Sequence, residues 1–231
     1  MALLSTLPLK VSSSPTLFAR ATINSTDGQI NAVGQCRGDT NHTSCNSCIT
    51  RALQDVQAVC VLSKQAIIYY DLCTLEISNE KIQLNIHHGL ESIAVQLDKS
   101  YVKNQQQVFD KTVGSLITAV INKVTNLSTR FATGKELLIV DNYKYTVCSL
   151  AQCSSELTRS LCQFCLHDLS FTPGFGGSVG ARKAAIWCSY RYQLYHFFTG
   201  YPMLNLYTDH STLKIGGQRG YPNIYISYIF R

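Results

Sequence analysis

The sequence predicts an α+β protein built from two tandem units, each with helices packed on an antiparallel sheet and stapled by disulfides. Three observations lead there. Cys36, Cys45 and Cys48 are spaced C-x8-C-x2-C, and Cys153, Cys162 and Cys165 repeat that spacing 117 residues later (153 − 36, 162 − 45 and 165 − 48). A further cysteine follows each set, Cys73 after the first and Cys188 after the second, which marks a tandem duplication. The segments carrying the C-x2-C pairs have helical apolar spacing, whereas those carrying the later cysteines alternate or are β-branched and aromatic. Finally, 10 cysteines in 231 residues is an even count well above ordinary usage. Units of this size bury a modest share of their surface and gain from cross-links in an oxidising compartment.

Taken in order, residues 1–23 are Ser-rich, lack a clear period and read as an atypical leader. They have no basic n-region, and Lys10 interrupts a short apolar stretch. Residues 28–36, GQINAVGQC, run as a strand into the first cysteine. RGDTNHT after it is turn chemistry, with Ser44 or Thr43 capping a helix whose apolar residues are Cys45, Cys48, Ile49, Ala52, Leu53, Val56 and Cys60. Residues 66–77, AIIYYDLCTLEI, read as one strand, with a short one at 82–86. The first unit is therefore placed at 24–84 and the second at 85–200.

Residues 105–127 give the clearest helix, with Phe109, Val113, Leu116, Ile117, Val120, Ile121 and Val124 on a broad apolar face. KELLIV and YKYTVCSLAQC are extended; Ser160 caps the helix LCQFCLHDL; TPGFGGSVG is a loop. AAIWCSYRYQLYHFF alternates as a strand, with Cys188, Tyr190 and Tyr192 on one side and Trp187, Arg191 and Gln193 on the other. Residues 201–231 form a tail in which YPNIYISYIF reads as one more strand.

The formal charge of +6 is spread along the chain without a Lys/Arg cluster. That argues against nucleic acid and suits a solvated surface able to meet anionic wall polymers. No apolar run reaches the ~20 residues a membrane helix needs. Sequons at Asn24, Asn41 and Asn126 fit an exported glycoprotein. No cofactor is implied: GFGGSVG falls one residue off the dinucleotide spacing and precedes a strand. The histidines, His87-His88 among them, show no metal spacing, and no Ser/His/Asp or Cys/His constellation marks an enzyme.

Three uses of the cysteines compete. Disulfides joining each C-x2-C helix to flanking segments would each stabilise by roughly 2–4 kcal/mol. Two C-x2-C pairs could hold zinc, although their separation is far outside finger or ribbon spacing. A thioredoxin-like dithiol needs C-x2-C at a helix start after a strand, which the fixed preceding cysteine argues against.

The stretches QCRGD, AIIYYDLC, YTVCSLAQC and WCSYRYQLYHFF, set among the repeated cysteines, resemble the plant ginkbilobin-homologous (salt-stress and antifungal) domain over residues 24–200. In tandem form it is similar to cysteine-rich repeat secretory proteins and the ectodomains of cysteine-rich receptor-like kinases. The resemblance implies two helices on a five-stranded antiparallel sheet per unit. It implies the pairings Cys36–Cys45, Cys48–Cys73, Cys153–Cys162 and Cys165–Cys188. It makes the first unit truncated at its N-terminus, and leaves Cys60 and Cys148 unassigned.

Some single-domain members are mannose-binding antifungal lectins. The positions corresponding to their arginine and glutamate are Arg182 and Gln193 in the second unit, and Ile67 and Ser78 in the first. Arg182 and Gln193 are thus the candidate carbohydrate-binding residues. The function expected is a secreted, non-enzymatic recognition module of stress or defence in the apoplast, meeting cell-surface receptors or wall carbohydrate. The alternatives are a mannose-type antifungal protein using the second unit, and an intracellular thiol or zinc protein.

Overall fold

Two sheets, one per unit, carry the fold. The computed structural model describes residues 6–25, 28–59, 65–84, 93–102, 105–140, 143–171, 176–209 and 225–226. The first unit comprises α1 (Leu7–Ser13), β1 (Phe18–Ser25), β2 (Gly28–Cys36), α2 (His42–Val59), β3 (Gln65–Tyr69) and β4 (Cys73–Ser78). Its antiparallel sheet has the order β1-β2-β4-β3. The second comprises β5 (Ala94–Leu97), α3 (Gln106–Asn126), β6 (Phe131–Val140), β7 (Tyr143–Cys153), α4 (Arg159–Phe171), β8 (Gly180–Ala184) and β9 (Cys188–Gln193). The tail adds β10 (Leu204–Asp209) and β11 (Tyr225–Ile226), giving the order β11-β10-β6-β7-β9-β8-β5.

The backbone shows the duplication. The first helix of each unit ends in the same turn: Ser14 N–H donates to Val11 O, and Leu127 N–H to Val124 O. Each turn leads into a left-handed non-glycine residue, Leu17 (φ 50°) or Arg130 (φ 52°). The carbonyls of those residues accept from Cys36 N–H at 2.8 Å and Cys153 N–H at 2.9 Å. A backbone conformation that disfavours a Cβ is thus held in both copies by the strand that bears the cysteine.

Several expectations are corrected. Residues 7–25 are built into the first unit: Leu7 and Val11 of α1 are fully buried in its core, and β1 pairs along its whole length with β2. The stretch 66–77 is a hairpin, not one strand, because Tyr70–Leu72 turns and Tyr70 N–H closes onto Cys73 O at 2.8 Å. Ala185 N–H closes onto Cys188 O in the same way, so the alternating run in the second unit is likewise split into β8 and β9. Among the described residues the sheets have four and seven strands, not five. The tail's β10 joins the second, parallel to β6, and among the described residues no strand flanks β3 as β5 flanks β8. The caps lie earlier than predicted, since the helices begin with a polar turn. Asn41 Oδ1 accepts from Ser44 N–H at 2.8 Å, and Thr158 Oγ1 from Leu161 N–H at 3.3 Å. Residues 82–84 carry no strand, and 85–86 lie outside the described residues, as do His87-His88.

The helices cover one face of each sheet; the open faces meet across the units. Gln35 Nε2 donates to Cys153 O at 3.2 Å, and Gln152 Nε2 donates to Cys36 O at 2.9 Å. Both donors and both acceptors are duplicate-equivalent positions, 117 apart, so the interface is isologous, as in a two-fold dimer. The buried Trp187 and Ile186 of the β8–β9 turn share a cluster with Phe18, Val33 and Ile82 of the first unit. Arg20 lays its guanidinium 5.3 Å from the Trp187 ring centroid and pairs with Glu156 at 2.5 Å. A Cβ on Gly38 would meet the Phe131 ring at 2.5 Å, so only glycine allows this approach between units.

This packing sets two expectations. Residues 85–231 expressed alone should resist protease better than residues 1–84 alone, whose first helix is seven residues against 21 in α3 and whose Phe18 and Val33 would lose their cover; equal resistance would contradict this. Glu136 is buried between β6 and β10, with Oε1 accepting from Thr208 and Oε2 unpartnered. Burial raises its pKa, opposed by the Thr208 hydrogen bond. A raised folded-state carboxyl pKa costs stability above the unfolded value and is relieved as pH falls. Glu136→Gln should therefore be more stable than wild type in urea at pH 7, with the gap closing towards about pH 4.5.

Candidate functional site

Each unit is clamped at one point. Cys36 and Cys73 are neighbours across β2 and β4, and Cys153 and Cys188 across β7 and β9. The bridges are Cys36–Cys45, Cys48–Cys73, Cys153–Cys162 and Cys165–Cys188, the pairs the resemblance implies. Both cysteines of each C-x2-C therefore reach different strands, which corrects the dithiol and zinc alternatives: neither pair is an exchangeable disulfide or a thiolate set. Among the described residues no group of three or more His, Cys, Asp or Glu is placed to hold a metal. Cys148 is buried and unbridged beside Phe131, Leu150 and Phe198, and burial raises its thiol pKa against the pull of Lys135. That makes it a poor nucleophile. Cys60 lies outside the described residues.

The clamps orient the open face of the second sheet. Gln96, Arg182 and Arg191 stand in one cross-strand row, on β5, β8 and β9. In the next register, Gln193 sits opposite Gly180. A Cβ on Gly180 would lie 2.0 Å from Gln193 Oε1, so glycine leaves room for that amide. Over this face reaches the β3–β4 turn of the first unit. Between them is a cavity of about 460 Å³ lined by Tyr69, Tyr70, Asp71, Gln96, Leu97, Asp98, Arg182, Arg191, Gln193 and Tyr195. Its volume lies within the range of roughly 300–1,000 Å³ typical of ligand pockets. Arg182 and Gln193, the two residues named from sequence, both line it. Their first-unit counterparts do not: Ile67 packs against the inter-unit core and Ser78 ends β4.

Charge gathers at one end. Asp71, whose side chain is 50% exposed, accepts from Arg191 Nη1 at 2.5 Å and Arg37 Nη1 at 3.1 Å. Arg37 also holds Asp39, 2.6 Å from its Nε, and donates to Phe197 O. The Arg37-Gly38-Asp39 triplet is thereby engaged inside the fold. Arg182 donates from Nη2 to Tyr70 O at 2.5 Å. Burial pushes its pKa below the ordinary arginine value; Asp71 opposes this, and Arg191 and Arg37 deepen it. Sequence reasoning missed Asp71, Gln96, Asp98 and the tyrosines, since the turn and β5 reach the site only through the tertiary fold. Arg191 was visible on the less buried side of its strand.

The glycosylation candidates are exposed, at the end of β1 (Asn24), before α2 (Asn41) and at the end of α3 (Asn126). Asn126 Nδ2 donates to Asn122 O at 2.7 Å. Trp187 is buried and packs in the inter-unit core.

This is a tandem pair of disulfide-stapled α+β units with a polar cleft between them. The salt stress response/antifungal family model matches residues 1–80, a span that takes in α1 and β1. Cysteine-rich receptor-like protein kinase 6 of Oryza sativa subsp. japonica is 31% identical over 205 residues, covering 87% of this chain and 30% of that protein. Cysteine-rich repeat secretory protein 38 of Arabidopsis thaliana is 29% identical over 203 residues, covering 84% and 75%. The tandem DUF26 ectodomains of the Arabidopsis cysteine-rich receptor-like proteins PDLP5 and PDLP8 share the fold, with TM-scores of 0.57 and 0.58 at 21% and 19% identity. They cover 82% of this chain, and 86% and 85% of the respective ectodomains. Residues 1–80 thus match the salt stress response/antifungal family, and the chain as a whole has the fold of the tandem DUF26 ectodomains. It spans about a third of the length of the receptor kinases it matches.

Asp71→Asn leaves Arg37 and Arg191 without their shared carboxylate, and should destabilise the protein by about 1 kcal/mol at low salt, less at high salt because Asp71 is half exposed. Urea denaturation at two ionic strengths checks this; no loss at low salt would show that Asp71 does not tie the units.

Proposed function

We propose that the chain is an extracellular, non-enzymatic recognition module of plant stress or defence, secreted to the apoplast, which takes its ligand in the cleft between its units. One observation carries this reading: the isologous packing leaves a cavity whose walls come from both units, so the duplicated chain forms a site that neither unit forms alone. The relatives lend support, being secreted proteins or ectodomains by name. No described helix is long and apolar enough to cross a membrane. A mannose-type antifungal activity is the second reading, favoured by Arg182 and Gln193 lining the same cavity. The partner would be a wall carbohydrate or a cell-surface receptor.

Made in plant cells, the protein should be recovered from the medium carrying its four bridges, with sugar on Asn41 or Asn126. Fluorescently labelled, it should be retained on isolated wall and plasma-membrane material. Leu97 is exposed at the cleft, so Leu97→Trp should crowd the cavity while sparing the fold, and lower retention about tenfold. Equal retention of both forms would remove the cleft from the function; reduced protein confined to the lysate would remove the extracellular reading.

A further inference from the structure

If the cleft is the ligand site, as the proposed function holds, its chemistry narrows the class of ligand. Three guanidinium groups, Arg37, Arg182 and Arg191, meet where Asp39 and Asp71 supply the nearby carboxylates. Those carboxylates are used by Arg37 and Arg191. Arg182 is partly buried on β8, and its single hydrogen bond is to the Tyr70 carbonyl. Among the described residues no carboxylate is in ion-pairing range of it. A guanidinium taken from water beside two like charges, with only the shared, half-exposed Asp71 in partial compensation, is an unfavourable arrangement for the empty protein. A bound anion would offset it, and Arg is suited to carboxylate geometry.

The other unpaired group in the cavity asks for the opposite partner. Gln193 lines the cavity, and its Oε1, packed beside Gly180, has no hydrogen-bond donor among the described residues; such an atom is costly until its amide turns to a donor. Gln96 and Asp98 add further polar lining, and Asp98 Oδ1 already accepts from Ser100 N–H. Tyr69, Tyr70 and Tyr195 supply ring surface around them. The ligand that answers all of these carries a carboxylate, hydroxyl donors close to it, and a compact ring with a C–H face.

We propose that the cleft binds an acidic sugar, the uronate residue of a polysaccharide, with its carboxylate held by Arg182 and flanked by Arg191, and a ring hydroxyl donated to Gln193 Oε1. The negative charge of Asp71 and Asp98 at the rim sets the register, admitting one carboxylate beside Arg182. A neutral sugar would satisfy Gln193 and leave Arg182 without an anion.

The test uses the full, disulfide-intact chain and four probes, trigalacturonate, its fully methyl-esterified form, mannotriose and a peptide of aspartates, followed by calorimetry at low and high salt. Trigalacturonate is expected to bind at least tenfold tighter than the other three, and more weakly at high salt. Arg182→Gln should lose about tenfold for trigalacturonate with its thermal midpoint unchanged or raised, and Arg182→Lys should recover part of the loss. An acidic peptide of aspartates, which brings carboxylates without ring hydroxyls, should bind as weakly as the ester. Equal affinity for acid and ester, tight binding of the peptide, or an undiminished Arg182→Gln variant would overturn the proposal. Mannotriose bound in preference, with loss in Arg182→Gln, would overturn the acidic assignment and leave the cleft in use. If no saccharide binds while Leu97→Trp still lowers retention on wall material about tenfold, the acidic assignment falls and the cleft reading stands; if Leu97→Trp changes nothing, both fall.

Discussion

The structure depends on one clamp, made twice. Two cysteines side by side on adjacent strands grip two cysteines three residues apart on one helical turn. Residues three apart lie on the same helix face, and opposed residues on antiparallel strands lie on the same sheet face. The four side chains can therefore meet only if the helix lies across those two strands on that face. The clamp fixes which face of each sheet is covered by helices, and so which face is left open. Everything that joins the two units is built on the open faces.

Those open faces meet through equivalent elements, and their divergence makes the site. The β8–β9 turn of the second unit presents Ala185, Ile186 and Trp187 to the first sheet, where Phe18 and Val33 receive them in a dry contact. The equivalent turn of the first unit presents Tyr70, Asp71 and Leu72 to the second sheet, where Arg182 and Arg191 stand. One half of an otherwise symmetric interface thus supplies adhesion, and the other half supplies a polar cavity. Substitutions at matched positions account for this: Arg191 against Glu76, Arg182 against Ile67, Trp187 against Leu72. The pair Ile67 and Arg182 shows the difference most directly: Ile67 packs against the inter-unit core, whereas Arg182 lines the polar cavity.

The parts of this arrangement legible in the sequence are those set by short-range spacing. The apolar stripe of α3 and the alternation of β9 each lie within one element, and the cysteine spacing joins a strand to the helix next to it; each is found in the structure. Residues 7–25 escaped notice because α1 is a single short amphipathic stretch and β1 is rich in Thr, Asn and Ser. It is a strand by pairing with β2 and not by composition. The β3–β4 turn escaped because Tyr70-Asp71-Leu72 contains no glycine, proline or asparagine to announce it. The parallel pairing of β10 with β6 joins segments some seventy residues apart, beyond any local pattern. Of the site, Arg182 and Gln193 were reached by resemblance. Asp71 and Tyr70 were not, since they come from the other unit.

That division bears on why the chain is duplicated. In a single unit the open face of the sheet would be exposed, and an arginine there would be solvated, strongly hydrated and only weakly selective. Covering it with the partner unit's turn removes water from one side, lowers the local dielectric and strengthens whatever charge interaction remains. The cover also costs something: it buries Arg182 beside Arg37 and Arg191, with only half-exposed Asp71 in partial compensation. The apolar half of the interface offsets that cost, because the contact around Trp187 holds the units together irrespective of the charge opposite. The first unit has Ile67 and Ser78 where the second has Arg182 and Gln193. It brings a polar turn over the open face of its neighbour, and the reciprocal hydrogen bonds of Gln35 and Gln152 keep that turn in register with it.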